Sequence, residues 1–197
     1  MARPKQRTPE LRDRVLSTAV EVLGQEGFSG FTTRRVAQRA GTSLPAVYEL
    51  FTDKAGLVRA VYLEGFRRLA LALLAVPETE APLADLEQLI AAFRRFCLDY
   101  PALARVMFSR PFEDVDASPG DVRPDAPTVR EILLARIRRC LDAGELAGDP
   151  VDIAHVLLAL AQGLAVQEGG HWLGRSAASV DRRWTAGVRA VLRGFAD

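Results

Sequence analysis

Cysteine is nearly absent: the 197-residue chain holds two, Cys97 and Cys140, too few for a disulfide framework and spaced unlike a zinc-ligand set. Each reads as a small buried hydrophobe on a helix. Aromatics make up only 7% of the residues, and no run approaches the roughly 18 uninterrupted apolar residues that suggest a membrane span. Neither sign of charge dominates, with 26 Lys+Arg against 25 Asp+Glu, and the 49% hydrophobic content supplies a core, which sets aside a disordered chain. The opening residues, MARPKQRTPE, lead into no apolar run and no small-residue cleavage site. No secretory signal and a cytoplasmic location are therefore expected. Catalytic signatures are missing as well. There is no Gly-rich phosphate loop, HExxH or GxSxG, and His155 and His171 stand alone, so the expectation is a protein that is not an enzyme and takes no cofactor or metal.

The net charge of +1 conceals an asymmetry. The first 60 residues hold ten basic side chains and six acids, a local charge of +4, which leaves −3 on the remainder. A basic N-terminal part joined to a mildly acidic body suggests a polyanion partner for the N-terminus only. On charge alone the rival is a solvated basic face with no partner.

Hydrophobic spacing is helical throughout, and strand alternation is nearly absent. Thr8-Pro9-Glu10 has the order of an N-cap, a first-position proline and a first-turn acid. Leu11, Val15, Ala19, Val22 and Leu23 follow at helical spacing until Gly27. Phe31 precedes a Thr32 cap, and Val36, Ala37 and Ala40 give a second helix of about two turns ended by Gly41. Thr42 or Ser43 caps a third helix, with Pro45 in its first turn. Three short helices joined by glycine-containing turns make a helix-turn-helix with one helix in front. Asp53 then caps a long helix over 54 to about 75, Pro77 and Pro82 bracket a break, and helices are expected over 83–100, 101–108, 128–143, 152–168 and 180–195. Segment 110–124, with three prolines, reads as a loop. The total is about nine helices and an all-α fold.

Residues 32–57, TTRRVAQRAGTSLPAVYELFTDKAGL, carry more than periodicity. Thr33 is followed by an Ala40-Gly41 turn, then Ser43-Leu44-Pro45-Ala46-Val47-Tyr48, then Phe51-Thr52-Asp53-Lys54. In this order and spacing the chain resembles the DNA-binding domain of the TetR (tetracycline repressor-like) family of bacterial regulators. The resemblance covers residues 8–62 by motif and the rest by helical layout. Thr42 departs from the family's small aliphatic turn residue and Leu50 from its common His or Tyr. Glu49 puts an acid on the recognition helix, where it faces a cytosine amino group or points away. The expected DNA contacts are Thr33, Arg34, Thr42, Ser43, Pro45, Ala46, Tyr48 and Lys54. Small and polar side chains at the start of the third helix suit base edges, and backbone N–H groups there suit phosphate. Tyr48 donates to a phosphate or packs on Phe51; Lys54 clamps the same backbone or is merely solvated. Arg34 and Arg35 are consecutive, about 100° apart on a helix, so both cannot face the groove equally. Arg3, Lys5 and Arg7 form an arm that adds phosphate or minor-groove contacts or has no specific role.

The resemblance implies a DNA-binding part over 1–53 and, over 54–197, a helical regulatory part that binds a ligand and dimerises through its last two helices. Within 152–168, Ile153, Val156, Leu157, Leu160 and Leu164 form one stripe, and Leu158, Ala161, Ala165 and Val166 make the helix apolar almost all round. Such a helix needs cover on two sides. A symmetry mate supplies the second, joined by Trp184, Val188 and Val191; a fully intrachain core is the rival. Phe66, Leu69, Phe93, Phe96, Met107, Phe108 and Phe112 are candidate pocket walls, with His155 and Gln162 as polar markers beside Arg94, Arg110, His171 and Trp172. Each also reads as ordinary core or surface. The expected function is a ligand-responsive transcriptional regulator, a homodimeric repressor released from palindromic operator DNA by a small molecule. The alternative is a helical ligand-binding or scaffold protein without DNA binding, for which loss of Tyr48 or Lys54 would be the sign. Both residues are intact.

Overall fold

A computed structural model describes residues 8–109 and 128–196, and the fold among them is all-helical. The arm residues Arg3, Lys5 and Arg7, the 110–124 loop, Arg110 and Phe112 lie outside the described residues. The helices are α1 (Pro9–Gly30), α2 (Thr33–Arg39), α3 (Leu44–Phe51), α4 (Lys54–Leu74), α5 (Pro82–Asp99), α6 (Pro101–Ser109), α7 (Val129–Asp142), α8 (Pro150–Gly169) and α9 (Ala177–Gly194).

Local chemistry sets the boundaries. Gly27 adopts φ 65° inside α1 and breaks it three residues before its end, a conformation that glycine enters without a Cβ penalty. Thr32 caps α2 by accepting the Arg35 N–H, and Ser43 rather than Thr42 caps α3 by accepting the Ala46 N–H. Thr128 and Glu131 form a reciprocal capping box on α7. Helices α8 and α9 start earlier than their apolar spacing indicates, because Asp149 with Pro150 and Ser176 cap them upstream of the first buried residues.

The chain forms two compact units. The first contains α1–α3, α4 through Phe66, and α6; its core includes Val15, Val22, Leu23, Val36, Val47 and Leu57. The division between the two compact units falls inside α4, and α6 returns to the first unit. The reason is close packing of α6: it lies on α1, and a Cβ on Gly65 of α4 would sit 2.6 Å from Met107 Sδ.

The second unit contains α4 from Arg67, together with α5, α7, α8 and α9, around Leu69, Leu86, Leu89, Ile137, Ile153 and Leu157. By length and composition α8 is apolar enough to cross a membrane, but here its Ile153, Ala154, Leu157 and Ala161 face is buried in this unit. Cys97 and Cys140 are buried and unbridged. Burial pushes their thiols up to about 12 and about 11, so neither is a thiolate.

Two arginines of α7 fasten the segment between α4 and α5. Buried Arg136 donates to the Val76 and Pro77 carbonyls. Arg139 donates to the Thr79 carbonyl and, at 2.9 Å, to Asp85 Oδ2. Asp85 is itself buried and accepts from the Thr79 N–H at 2.7 Å and the Thr79 hydroxyl at 2.8 Å. Those donors, the Thr79 N–H foremost, hold the carboxyl at about 2, below its ordinary 3.8. A carboxylate with a depressed folded-state pKa stabilises the fold above its unfolded value and loses that effect as pH falls through the folded one. Asp85→Asn is therefore expected to lower the urea midpoint at neutral pH, and the gap from wild type to close as pH drops from 3.8 toward about 2. A gap that persists undiminished at the lower pH would show that the negative charge is not the stabilising feature.

Candidate nucleic-acid interface

Helices α2 and α3 are joined by a hydrogen-bonded glycine turn. Gly41 takes φ +65°; its N–H donates to Gln38 O at 3.2 Å, and the Thr42 N–H donates to Ala37 O at 3.0 Å. This is a Schellman termination, and it reverses the chain directly into the Ser43 cap. Arg14 of α1 donates from Nε to the Ala40 carbonyl at 3.2 Å, fixing the turn to the first helix. Val36, Ala37 and Ala40 of α2 and Val47 and Phe51 of α3 are buried beneath it. Arg12 lies over the Phe51 ring at 5.2 Å.

The opposite side of α3 is open. Ser43, Pro45 and Tyr48 are exposed and Thr42 and Ala46 half-buried. Tyr48 is 41% exposed while Phe51 takes the core position, so the tyrosine faces outward. Among the described residues neither Tyr48 nor the exposed Lys54 has a hydrogen-bond or ion-pair partner. Within the first turn of α3 itself the expectation of several backbone donors narrows to one. Pro45 has no N–H, and Ser43 already accepts from Ala46 at Oγ and from Val47 at its carbonyl, which leaves the Leu44 N–H. The Ser43 hydroxyl keeps its own proton to donate.

Two arginine positions separate cleanly. Arg34 is exposed and unpaired among the described residues, whereas Arg35 donates to both oxygens of Glu26 at 3.0 and 3.1 Å. Thr33 departs from the expected exposed set at 5% exposure. It shares a helical face with Val36, Ala37 and Ala40, and that spacing turns its side chain into the core.

The α3–α4 junction holds a residue that sequence reasoning passed over. Thr52 adopts φ 69°, and Asp53 Oδ1 accepts the Gly56 N–H at 2.7 Å, capping α4. A Cβ on Gly56 would overlap the Phe51 carbonyl oxygen. The available signal was an isolated glycine in the first turn of a helix. Glycine here lets α4 start close under α3 and so sets where Lys54 emerges.

The candidate pocket residues divide between the units. In the first, Phe66 packs edge-on to Phe108 at 6.3 Å and tilted on Tyr62 at 4.9 Å, with Met107 buried against Gly65. In the second, Leu69, Phe93 and Phe96 are core residues, Gln162 is half-buried, and His155, His171 and Trp172 are exposed. Arg94 forms a bidentate pair with Glu168 at 2.8 and 2.9 Å and a further pair with Asp181 at 2.8 Å. Trp184 donates from Nε1 to the same Glu168 at 2.7 Å. Of the candidate interface residues, Ile153, Leu157, Trp184 and Val188 are buried within the second unit. Val156 is 43% exposed, and Leu160, Leu164 and Val191 are half-buried. Leu160 and Leu164 of α8 lie beside Gly187 of α9, where a Cβ would meet them at 3.4–3.5 Å, an ordinary van der Waals contact.

Two short helices that share a buried apolar face across a glycine turn, with the far side of the second left open, define a helix-turn-helix protein. Residues 15–61 match the model for bacterial regulatory proteins of the tetR family, and residues 86–191 match the tetracyclin repressor-like C-terminal domain. The chain belongs to the tetR family. It is 34% identical over 145 residues to the class C tetracycline repressor protein of Escherichia coli, a match spanning 70% of this chain and 57% of that protein. To the class A tetracycline repressor protein from transposon 1721 of Escherichia coli it is 30% identical over 161 residues, 78% of this chain and 65% of that one. The chain thus spans less than two thirds of the length of either curated relative. A structure of a Rhodococcus sp. RHA1 protein of unknown function superposes with a TM-score of 0.76 at 26% identity, over 99% of this chain and 100% of that one.

The two helix-interior glycines Gly24 and Gly56 are expected to respond oppositely to alanine. Gly24 has open space around its Cβ position, so Gly24→Ala gains helix propensity worth about 0.5–1 kcal/mol. Gly56→Ala must displace the Phe51 carbonyl and is expected to cost about 1–3 kcal/mol, as overpacking does. Urea unfolding of the two variants checks the pair; equal midpoints would remove Gly56 from its assigned role.

Proposed function

We propose that this protein is a cytoplasmic, homodimeric, ligand-responsive transcriptional regulator, a repressor that a small molecule releases from a palindromic operator. The observation that carries the DNA-binding part is the exposed start of α3, flanked by the unpartnered Tyr48 hydroxyl and Lys54 ammonium. Side chains of Thr42, Ser43, Pro45 and Ala46 would meet base edges in the major groove, while Tyr48, Lys54 and Arg34 would hold phosphate. Thr33, being buried, would act on the geometry of α2 and not on DNA directly. The scaffold alternative leaves those two donors without an assignment.

Dimerisation through α8 and α9 is supported by the exposed apolar side chains Val156 and Val166 on α8 and by Leu160, Leu164 and Val191, which the chain's own packing covers only in part. A two-fold dimer presents its recognition helices to major grooves about 34–36 Å, or a multiple, apart. The repressor sense follows the tetracycline repressor relatives. The candidate pocket walls stand one unit at a time: Phe66 and Phe108 pack together within the first, and Leu69, Phe93 and Phe96 lie in the core of the second; the effector is taken to be a small molecule. An effector that prefers the non-binding geometry lowers operator affinity by its differential binding, about 1–3 kcal/mol in typical cases, and operator must weaken the effector equally.

Lys54→Ala is expected to weaken binding to operator and unrelated DNA alike and to reduce the log–log salt slope by about 0.9, the effect of one lost phosphate contact. Changes at Ser43 or Ala46 are expected to alter base preference and leave the slope alone. Electrophoretic shifts with upstream DNA across a salt series check both, and an unchanged slope for the lysine variant would remove it from the phosphate set. Sedimentation of the full chain is expected to give a dimer at micromolar concentration; a monomer, free and on DNA, would refute the palindromic mode.

A further inference from the structure

Glu26 closes the regular part of α1, immediately before the Gly27 break, and sits across α2. Its two carboxylate oxygens accept from Arg35 Nε at 3.0 and 3.1 Å, and Oε1 accepts from Arg39 Nη1 at 3.4 Å. Gln25 Oε1 takes the same Arg39 nitrogen at 2.7 Å. The placement depends on Gly30, where a Cβ would overlap that of Glu26 and lie 3.0 Å from its Oε2. One acid is thus built over two of the three arginines of α2, and only Arg34 is left unpaired.

This arrangement contributes little to holding the helices together. Arg35 is 51% exposed and Glu26 24%, and solvent-exposed pairs contribute little to stability. The α1–α2 junction already has the buried Val36, Ala37 and Ala40 face and the Arg14 bond to Ala40. What the acid does change is charge. Sequence-independent attraction to duplex DNA scales with the cations free to replace counterions at phosphates, and discrimination depends on the ratio of specific to non-specific binding.

Resting on the DNA-binding reading above, we propose that Glu26 is a specificity-determining counter-ion: it occupies Arg35 and Arg39 and thereby lowers affinity for DNA of arbitrary sequence. It acts without touching the base-reading end of α3. Arg35 and Arg39 are cations held in reserve on the DNA-facing unit, and Glu26 decides whether they reach phosphate.

The test is fluorescence anisotropy of the full chain with a labelled duplex of arbitrary sequence across a potassium chloride series, beside a duplex containing upstream DNA. Glu26→Gln is expected to bind the arbitrary duplex on the order of tenfold more tightly at low salt, with a log–log slope steeper by about one to two units. Glu26→Ala, which also removes the hydrogen-bond acceptor, is expected to act in the same direction. Arg35→Gln alone is expected to leave the slope unchanged, because Arg35 is occupied, but to take back about one unit in the Glu26→Gln background, a coupling that a purely structural role does not produce. Unchanged slope in both Glu26 variants, or weaker binding together with a lowered unfolding midpoint, would overturn the assignment while leaving the DNA-binding reading intact. A wild-type chain that shows no salt-dependent binding to either duplex would overturn both.

Discussion

The buried face shared by α2 and α3 is the constraint on which the candidate interface depends. Val36, Ala37 and Ala40 lie at helical spacing on α2, Val47 and Phe51 on α3, and all five are buried. With those side chains turned inward and the Gly41 turn closing the gap, the exposed edge of α3 has only one composition available to it: Ser43, Pro45 and Tyr48, with Thr42 and Ala46 beside them. Slipping the inward set by one residue would rotate α3 by about 100° and put Leu44 on that edge in place of Tyr48 and Ser43. The functional surface is in this sense the complement of the core.

Glycine does the finer positioning by allowing close approach. At Gly56 the chain has no room for a Cβ beside the Phe51 carbonyl, at Gly65 none beside Met107, and at Gly30 none beside Glu26. Each absence lets a neighbouring group come nearer than any other residue permits, and each neighbour belongs to a feature with a role: the origin of Lys54, the seat of α6, and the acid over α2. None of these three glycines has a left-handed backbone; among the described glycines a positive φ is found instead at Gly27, Gly41, Gly144, Gly148 and Gly174.

Arginine is used in opposite ways in the two units. In the second, Arg136 is buried with its donors on the Val76 and Pro77 carbonyls, and Arg94 joins α5 to Glu168 on α8 and Asp181 on α9. Buried charge is tolerated there because the groups around it are satisfied; no buried side-chain nitrogen or oxygen among the described residues lacks a partner. In the first unit the arginines of α2 stay at the surface, one open and two held by an acid. Net charge by segment registers the difference only as a basic N-terminal part.

The amino-acid sequence by itself determined the helices, most of their ends and the recognition motif, because these follow from short-range chemistry: apolar spacing, capping side chains and glycine at helix ends act within a few residues of one another. It also determined that Tyr48 and Lys54 are available in type and order. Tertiary structure alone decided orientation and partnership. Thr33 matches the motif yet is buried, Arg34 and Arg35 look equivalent yet only one is open, and Trp184 reads as interface yet donates to Glu168 inside the chain. It also decided that α6 returns to the first unit through Gly65 and that Glu26 sits over α2. These are contacts between residues far apart along the chain or across a helix break, and no local periodicity encodes which faces meet.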